Sequence, residues 1–296
     1  MIETPLVSII CISMNHEAFV KQSFDSIVNQ TYQNIEILYV DNNSVDSTFE
    51  IADEIFKNSE HPYQGYKREK NYNIAQNLNF LLKKTKGKYI SVQSGDDWWA
   101  IENIEKKVKF YELNQHFGLV YANGYYFYED TGKTILPSNA HLFKQGFIFD
   151  DVLLGGIYFP IGYIMRKDIF ETVGYYDENI KIDDWDMWLR ILKYFPIGYF
   201  SEPLTYYRRH ENTFCKNIES NFIEALKTVD KYKGEKHYSQ AKEMCTRSYI
   251  YGLVIAEPNF TTALKISKHF KLNSFYVKQM AKVLLRITNL YKVETV

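Results

Sequence analysis

The sequence predicts an α/β fold: a mixed, mostly parallel sheet flanked by helices, with a helical appendage at its C-terminal end. Two observations carry this prediction. Over most of the chain, short apolar runs alternate with segments of helical periodicity, as in a doubly wound sheet. From residue 217 onward helical periodicity dominates and glycine becomes scarce. We therefore predict two domains, residues 1–215 and residues 216–296.

The composition excludes several classes of protein. The chain has 296 residues, of which 46% are hydrophobic and 24% charged, so a full core can form. A net charge of −1 gives no case for a nucleic-acid partner. Cys11, Cys215 and Cys245 are widely spaced and odd in number, which favours a reducing cytoplasm over a disulfide framework. The sequence has no apolar run of about 18 residues, so we expect no transmembrane helix.

Apolar runs and helical spacing define the elements of the first part of the chain. Phe24, Ile27 and Val28 recur at helical spacing, for example, and Gly87 follows a helical segment as a stop signal. In order, we predict a strand at 6–12, a helix at 18–30, a strand at 35–40, a helix starting at 44–47, a short strand with a loop at 61–72, a helix at 73–84 and a strand from 89.

The same patterns continue, less regularly, through the second part of the sheet domain. We predict a helix at 100–114, an aromatic-rich strand at 117–128, a hairpin or surface excursion at 129–150, a shaped loop at 155–162, a short helix at 167–173, a helix starting at 183 and a strand at 197–207.

Polar clusters follow three of the predicted strands. These are residues 13–17, residues 41–43 and the acid pair Asp96-Asp97. In a doubly wound sheet the ligand lies outside the carboxyl ends of the strands, so all three clusters would open into one crevice. Asp96 and Asp97 could bind a divalent cation or cap the following helix, and both interpretations stay open at this point. Glycine-rich dinucleotide and phosphate-loop motifs are absent from the sequence, which disfavours a nicotinamide enzyme and a P-loop kinase.

A second group of acids starts the helix at 183. Asp183, Asp184 and Asp186 precede a Trp-rich apolar stripe. The helix dipole favours carboxylates at this end by about 0.3–1 kcal/mol each, which explains one or two acids better than three. His210 closes the last predicted strand, and we keep it as a candidate ligand, although a histidine after two arginines is more often a surface residue.

In this order and spacing, the motifs resemble family 2 glycosyltransferases over about residues 6–212. The similarity is carried by the first strand with its Asn-containing loop (7–15), by the long segment 26–48, by Ser-Gly-Asp-Asp-Trp at 94–98, by Gly-Tyr-Tyr-Asp-Glu at 174–178 with Asp-Asp-Trp-Asp at 183–186, and by Tyr-Arg-Arg-His at 207–210.

The resemblance implies the glycosyltransferase-A fold, which is Rossmann-like, and an inverting sugar transfer. The expected donor is a nucleotide-diphosphate sugar, with a UDP-sugar favoured, and the acceptor is a hydroxyl of a glycan or lipid-linked saccharide in surface polysaccharide assembly. The implied roles are metal binding of Mn²⁺ or Mg²⁺ by Asp97 and His210, donor binding by Ser13, Asn15, Asp41 and Asp96, and general-base catalysis by Asp184.

Several positions depart from the family pattern. Ser94 replaces the first acid of the metal motif, Asn42 replaces a second acid after Asp41, and Leu78 stands where many members carry an arginine that helps to hold the diphosphate. Lys67, Arg68 or Lys70 could substitute for it. Two alternatives therefore stay open: a catalytically silent sugar- or partner-binding module, and a nucleotidyltransferase, although the latter typically needs a glycine-rich basic loop after the first strand.

The C-terminal segment also has two interpretations. Residues 265–292 are basic and apolar. They could belong to a packed helical appendage, which we favour, or form an amphipathic helix in peripheral contact with the inner face of the membrane. The expected location is cytoplasmic, with the membrane surface as the alternative.

Overall fold

The structure is a computed structural model that describes residues 4–137, 140–155, 160–181, 183–210, 217–256, 259–269 and 274–287. The chain divides into two compact units. One comprises Met1–Val152 with Gly156–Thr213, and the other Leu153–Gly155 with Phe214–Val296. The predicted domain boundary between residues 215 and 216 lies outside the described residues.

The first unit is built on one sheet. Its described strands are β1 (Val7–Ser13), β2 (Ile35–Asp41), β3 (Tyr63–Lys67), β4 (Tyr89–Ser94), β5 (Trp98–Trp99), β6 (Leu119–Tyr128), β7 (Lys133–Ile135), β8 (Ile164–Arg166) and β9 (Ile197–Arg209). They form a nine-stranded sheet in the order β3-β2-β1-β4-β8-β6-β9-β5, with β7 paired to β6.

The sheet is mixed, and its parallel pairings are the longer ones. Strands β3, β2, β1 and β4 run parallel, and β6 runs parallel to β9. The antiparallel pairings of β8 with β4 and β6, and of β5 with β9, are short. Every residue of β2 is buried, as expected for a parallel strand covered on both faces. The predicted α/β fold with a mostly parallel sheet is confirmed.

Helices cover the sheet between the strands. The first unit contains α1 (Val20–Val28), α2 (Thr48–Lys57), α3 (Ile74–Leu82), α4 (Asn103–Leu113), α5 (Phe149–Leu153), α6 (Ile169–Val173) and α7 (Asp183–Leu192), with a 3₁₀ turn at Ala140–Leu142. Helix α3 begins with a capping box, because Asn73 accepts from the amide of Gln76 and Gln76 accepts from the amide of Asn73. The rings of Phe24, Tyr39 and Phe56 pack together where α1 and α2 meet the sheet.

Three short elements were not predicted, and one interpretation was wrong. Strands β5 and β8 and helix α5 are absent from the sequence-based assignment. Strand β5 directly follows Asp96 and Asp97, so these acids do not cap a helix. The segment after β6 does form the predicted hairpin, since β7 pairs antiparallel with β6. Within the predicted loop at 155–162, residues 156–159 lie outside the described residues.

The second unit is helical, as predicted. It contains α8 (Ile218–Asp230), α9 (Tyr238–Ala256), α10 (Phe260–Lys268) and α11 (Ser274–Ile287). Tyr249, Leu253, Ile266, Tyr276 and Val283 form a core of its own. None of the described helices combines the length and the apolar character that crossing a bilayer requires.

Candidate active site

Three parallel strands end side by side. In the sheet register Ser13 of β1 lies opposite Asp41 of β2, and Ile12 lies opposite Ser94, the last residue of β4. The polar residues that follow these strands therefore share one edge of the sheet, as the sequence predicted for the crevice.

The loop after β1 is tied to the loop after β2. Asn15 has a φ of 54°, its amide donates to the Ser44 hydroxyl at 2.9 Å, and its side-chain oxygen accepts from the amide of Val45 at 3.0 Å. Ser13 shares a hydrogen bond of 2.7 Å with the phenol of Tyr39, whose pKa burial raises. Ser13 and Asn15 thus stand together at the end of β1, in fixed orientations.

Asp41 is fully buried and turned into its own loop. One carboxylate oxygen accepts from the Ser44 amide at 2.8 Å, and the other accepts from the Ser44 hydroxyl at 2.5 Å. These bonds shape the turn, in which Asn43 takes a φ of 64°. Each carboxylate oxygen can accept a second hydrogen bond, so the contacts with Ser44 are compatible with nucleotide binding.

The turn after β4 needs glycine at position 95. A Cβ atom on Gly95 would lie 2.7 Å from Cβ of Ser13 and 2.9 Å from Nδ1 of His16. The amide of Gly95 donates to the carbonyl of Ile12 at 2.9 Å. The absence of a side chain therefore lets the loop after β1 approach the acid pair closely.

Asp96 lies at the centre of a small polar cluster. Nε2 of His210 is 3.2 Å from Oδ2 of Asp96, Nδ1 of His16 is 4.0 Å from Oδ1, and the Ser94 hydroxyl donates to Oδ1. Burial acts to raise the pKa of Asp96, but the charge of His16 and the hydrogen bonds from Ser94 and His210 outweigh it and lower this pKa. Asp96 is therefore held as a carboxylate.

The sequence analysis missed His16. Its Nδ1 is buried and has no hydrogen-bond partner within the described part of the chain, and burial lowers the pKa of this imidazole. A histidine directly after the first strand was the available signal. Its role depends on the approach across Gly95, which local sequence does not reveal.

Asp97 points the other way. Its side chain is 3% exposed and accepts from the amide of Arg208 at 2.8 Å. Burial, followed by the charge of Asp96, raises the pKa of Asp97. The sequence analysis paired Asp97 with His210 as metal ligands, whereas the carboxylate in contact with His210 belongs to Asp96. Asp97 as a metal ligand stays a prediction.

Arg208 fixes the end of β9 against the acid turn. Its Nε donates to the carbonyl of Asp96 at 2.7 Å, and its guanidinium also bonds Glu129 and Gln22. The same guanidinium lies over the ring of Trp98 at 4.6 Å. His210 is two residues further along the chain, so these contacts determine where its imidazole stands.

Asp184 sits in the first turn of α7. One of its oxygens accepts from the amide of Trp185 at 2.7 Å. Trp185 anchors the helix, because its indole donates to the carbonyl of Val152 at 2.9 Å. Asp186, the third acid of this turn, is fully buried and pairs with Nε of Arg190 at 3.0 Å, so it is a structural residue.

The environment of Asp183 and Asp184 disfavours their charged forms. Burial raises the pKa of both carboxyls, and the charge of Asp184 raises that of Asp183 further. Both acids act on Tyr163, whose pKa is raised by burial and then by neighbouring groups that include them. Tyr163 directly precedes Ile164, which pairs with Ser91, so it lies towards the carboxyl end of β4. The field of Asp184 therefore reaches the edge that carries Asp96.

The cluster around Asp96 fits a divalent cation whose remaining ligands come from a substrate. Within the described ranges, no group of three or more His, Cys, Asp or Glu residues could hold a metal ion. Asp96 and His210 can supply two ligands, since adjacent ligands of an octahedral ion with bonds of about 2.1 Å lie about 3.0 Å apart. Their observed separation is 3.2 Å. The unpartnered Nδ1 of His16 is a further polar atom at the same place.

A comparison with known families now decides the class of protein. The profile of Glycosyl transferase family 2 matches residues 8–174, more than half of the chain. This protein belongs to glycosyl transferase family 2. The match covers the strand ends that carry Ser13, Asn15, Asp41 and Asp96, and it stops before Asp184 and His210.

Individual relatives agree with this family. The putative glycosyltransferase EpsE of Bacillus subtilis (strain 168) is 29% identical over 219 residues, covering 72% of this chain and 76% of EpsE. The crystal structure of S. aureus TarS 1–349 with UDP-GlcNAc matches with a TM-score of 0.68 at 14% identity, covering 96% of this chain and 83% of that one. The mannosyltransferase PcManGT of Pyrobaculum calidifontis, in complex with GDP-Man and Mn²⁺, gives 0.63 at 13%, covering 96% and 85%. These structures show that the family 2 member has the glycosyltransferase-A fold.

The position of the missing family arginine is filled by core. Leu78 is 2% exposed. Among the three candidate replacements, Lys67 pairs with Glu50 at 2.8 Å, and Lys70 lies over the ring of Tyr72. Arg68 is the one bonded to the crevice edge, because its amide donates to the carbonyl of Asp41 at 3.0 Å. Its guanidinium bonds Asn77 and lies 3.9 Å from the ring centroid of Phe80.

Proposed function

We propose that this family 2 member is a metal-dependent, inverting glycosyltransferase of the cytoplasm. It moves a hexosyl or N-acetylhexosaminyl group from a UDP-sugar to a hydroxyl of a glycan or lipid-linked saccharide, in the assembly of a surface polysaccharide. One observation carries the proposal: the ionised Asp96 lies against His210 and His16 at the strand end, and the field of Asp184 reaches the same edge. The polysaccharide setting rests on family analogy.

The donor diphosphate would lie against the Asp96 cluster. A bound Mn²⁺ or Mg²⁺ supplies positive charge that stabilises the diphosphate as it leaves. Asp96 and His210 would hold the ion, and the low pKa of Asp96 keeps its carboxylate ready at neutral pH. His16 would offer Nδ1 to a diphosphate oxygen or an ordered water. Asp97 would hold β9 in place through the amide of Arg208, or bind the ion as the sequence predicts.

The nucleotide would occupy the ends of β1 and β2. Ser13 and Asn15 line this part of the edge, and their orientations are fixed by Tyr39 and Ser44. The remaining lone pairs of Asp41 suit an N–H donor on the edge of a uracil-like base. Arg68 would contribute positive charge near the diphosphate in place of the missing arginine.

The acceptor hydroxyl would be deprotonated by Asp184. As the oxygen attacks the anomeric carbon, its proton passes to the Asp184 carboxylate, and the bond from that carbon to the diphosphate oxygen breaks. A base on the side opposite the leaving group gives a single displacement with inversion. Burial, which raises the pKa of Asp184, makes it a stronger proton acceptor than an exposed aspartate.

A thermal-shift titration tests donor binding. We expect UDP with Mn²⁺ to raise the melting temperature, by about 2–4 °C per kcal/mol of binding, while UDP without metal has a smaller effect. GDP with Mn²⁺ is the matched control for the base, and we expect it to shift the melting temperature less.

Turnover then separates the alternatives. An active transferase hydrolyses its nucleotide-sugar slowly in the presence of Mn²⁺ even without acceptor. Binding of UDP without hydrolysis of any UDP-sugar would support the silent module, and release of pyrophosphate from a nucleoside triphosphate would support a nucleotidyltransferase. If no nucleotide diphosphate with Mn²⁺ shifts the melting temperature, the proposed function is wrong.

A further inference from the structure

The last two described helices differ in charge from the two before them. Helices α10 and α11 contain no aspartate or glutamate and carry several lysines. Helices α8 and α9 contain acids in both. The positive charge of the second unit is therefore concentrated on α10 and α11.

Much of this charge has no counter-ion. On α9, Lys242 pairs with Asp230 and Arg247 pairs with Glu243. On α10, Lys265 pairs with Glu219 at 2.7 Å. The described part of the chain places no carboxylate within 4.0 Å of Lys268, Lys278 or Lys282. These three lysines leave a net positive surface on the two helices.

Apolar side chains stand among these lysines in solvent. Leu264 of α10 is 52% exposed, and Val277 and Leu284 of α11 are 49% and 52% exposed. On α11 the exposed positions 277, 278, 281 and 284 recur at helical spacing, so they form one outward stripe. The opposite side of the helix buries Tyr276 and Val283 in the core of the unit. The outward stripe is therefore not needed for packing within the unit.

We propose that these outward residues form a docking surface for an anionic lipid bilayer. We call them the basic face, comprising Leu264, Lys268, Val277, Lys278, Lys282 and Leu284. Apolar side chains mixed with lysines on a helix surface suit the boundary between lipid headgroups and acyl chains. The lysines would contact headgroup phosphates, while Leu264, Val277 and Leu284 enter the boundary layer.

Charge favours a bilayer over a second copy of the chain as the occupant. A symmetric dimer would bring the same patch of both copies together, and the unpaired lysines would then face lysines. An anionic bilayer neutralises them instead. Binding through so few groups is reversible and weakens with salt. The proposal goes beyond sugar transfer and does not depend on it, although it would bring the protein to a lipid-linked acceptor.

The test is flotation of the full-length chain with vesicles of phosphatidylcholine, alone or mixed with phosphatidylglycerol. We expect binding to the mixed vesicles only, and a weakening of that binding as salt rises. The double variant Lys268→Glu, Lys278→Glu should reduce binding about tenfold or more. Its matched control is Lys233→Glu, Lys236→Glu, which reverses two exposed lysines of the same unit and should change binding less than about twofold.

A second pair of variants tests the apolar part of the basic face. Leu264→Ser with Val277→Ser should weaken binding to mixed vesicles about tenfold at every salt concentration. Tyr251→Ser with Ile255→Ser is the control, because these α9 side chains are 52% and 51% exposed but lie outside the basic face. Equal binding to both vesicle types, equal effects of test and control variants, or a dimer in light scattering that the Leu264 variant dissociates would each overturn the proposal.

Discussion

The two adjacent pairs of acids in this protein are treated in opposite ways by their surroundings. At the end of β4, two histidines and a serine hydroxyl lower the pKa of Asp96. At the start of α7, burial raises the pKa of Asp183 and Asp184. The same residue type is thus prepared as a permanent anion in one place and as a proton acceptor in the other.

This difference assigns chemistry to each pair. A carboxylate that stays charged suits a cation and its diphosphate, whereas a carboxyl with a raised pKa suits proton transfer. The acids within each pair also differ, since Asp97 turns inward to Arg208 and Asp183 takes more of the repulsion from its neighbour. The comparison therefore makes predictions about each acid separately.

The largest effect is expected at Asp96. Asp96→Asn removes the charge beside His210 with almost no change in volume. We expect turnover to fall by at least about 10⁴-fold, because several kcal/mol of transition-state stabilisation depend on the metal site. The Mn²⁺-dependent part of the thermal shift with UDP should disappear, which is measured independently of activity.

Asp97→Asn is the matched control for this variant. The asparagine oxygen can still accept from the Arg208 amide, so we expect the Mn²⁺-dependent shift to persist. If Asp97→Asn loses the shift and Asp96→Asn keeps it, then the sequence-based assignment of the metal to Asp97 is right and the comparison fails at its first member.

The next effect concerns Asp184. Asp184→Asn should lower sugar transfer about 10³-fold, within the range usual for a general base, while the thermal shift with UDP and Mn²⁺ stays unchanged. Asp183→Asn should cost much less at neutral pH. It should also move the acid limb of the transfer rate to lower pH, because it removes a negative charge next to Asp184. A limb that stays in place or moves to higher pH would contradict a coupled pair.

Local patterns were enough for the sheet and for the place of the site. Apolar runs gave β1, β2 and β4, and the rule that parallel strands end at one edge gave a shared location for Asp41 and Asp96. These predictions depend on residues close in sequence, where periodicity is informative. Strand β5 escaped because it has two residues and exists only through its pairing with β9.

Orientation within the site could not be predicted for the same reason. Whether Asp96 or Asp97 faces the crevice depends on the Arg208 amide and the His210 ring, which lie more than 100 residues later in the chain. The role of His16 depends on its approach to Gly95. Sequence identified residue types at strand ends, but long-range contacts decide which side chain points where.

The smallest effect tests burial itself as the cause of the raised pKa values at α7. Lys107 is a fully buried cation with no carboxylate within 4.0 Å among the described residues, and its Nζ donates to the carbonyl of Gly162 at 2.6 Å. Burial lowers the pKa of Lys107 to about 7. The unfolded chain therefore binds a proton between about pH 7 and 10 that the folded chain does not, and wild-type stability rises with pH in that window.

Lys107→Met removes this dependence. The difference in unfolding free energy, variant minus wild type, should fall by about 1.4 kcal/mol per pH unit from pH 7 to 10, as measured by urea unfolding at several pH values. Lys106→Met is the control, since Lys106 is exposed and pairs with Glu202, and it should show no such slope. A flat difference for Lys107→Met would mean that burial does not penalise charge in this unit, and the raised pKa values of Asp183 and Asp184 would then need another cause.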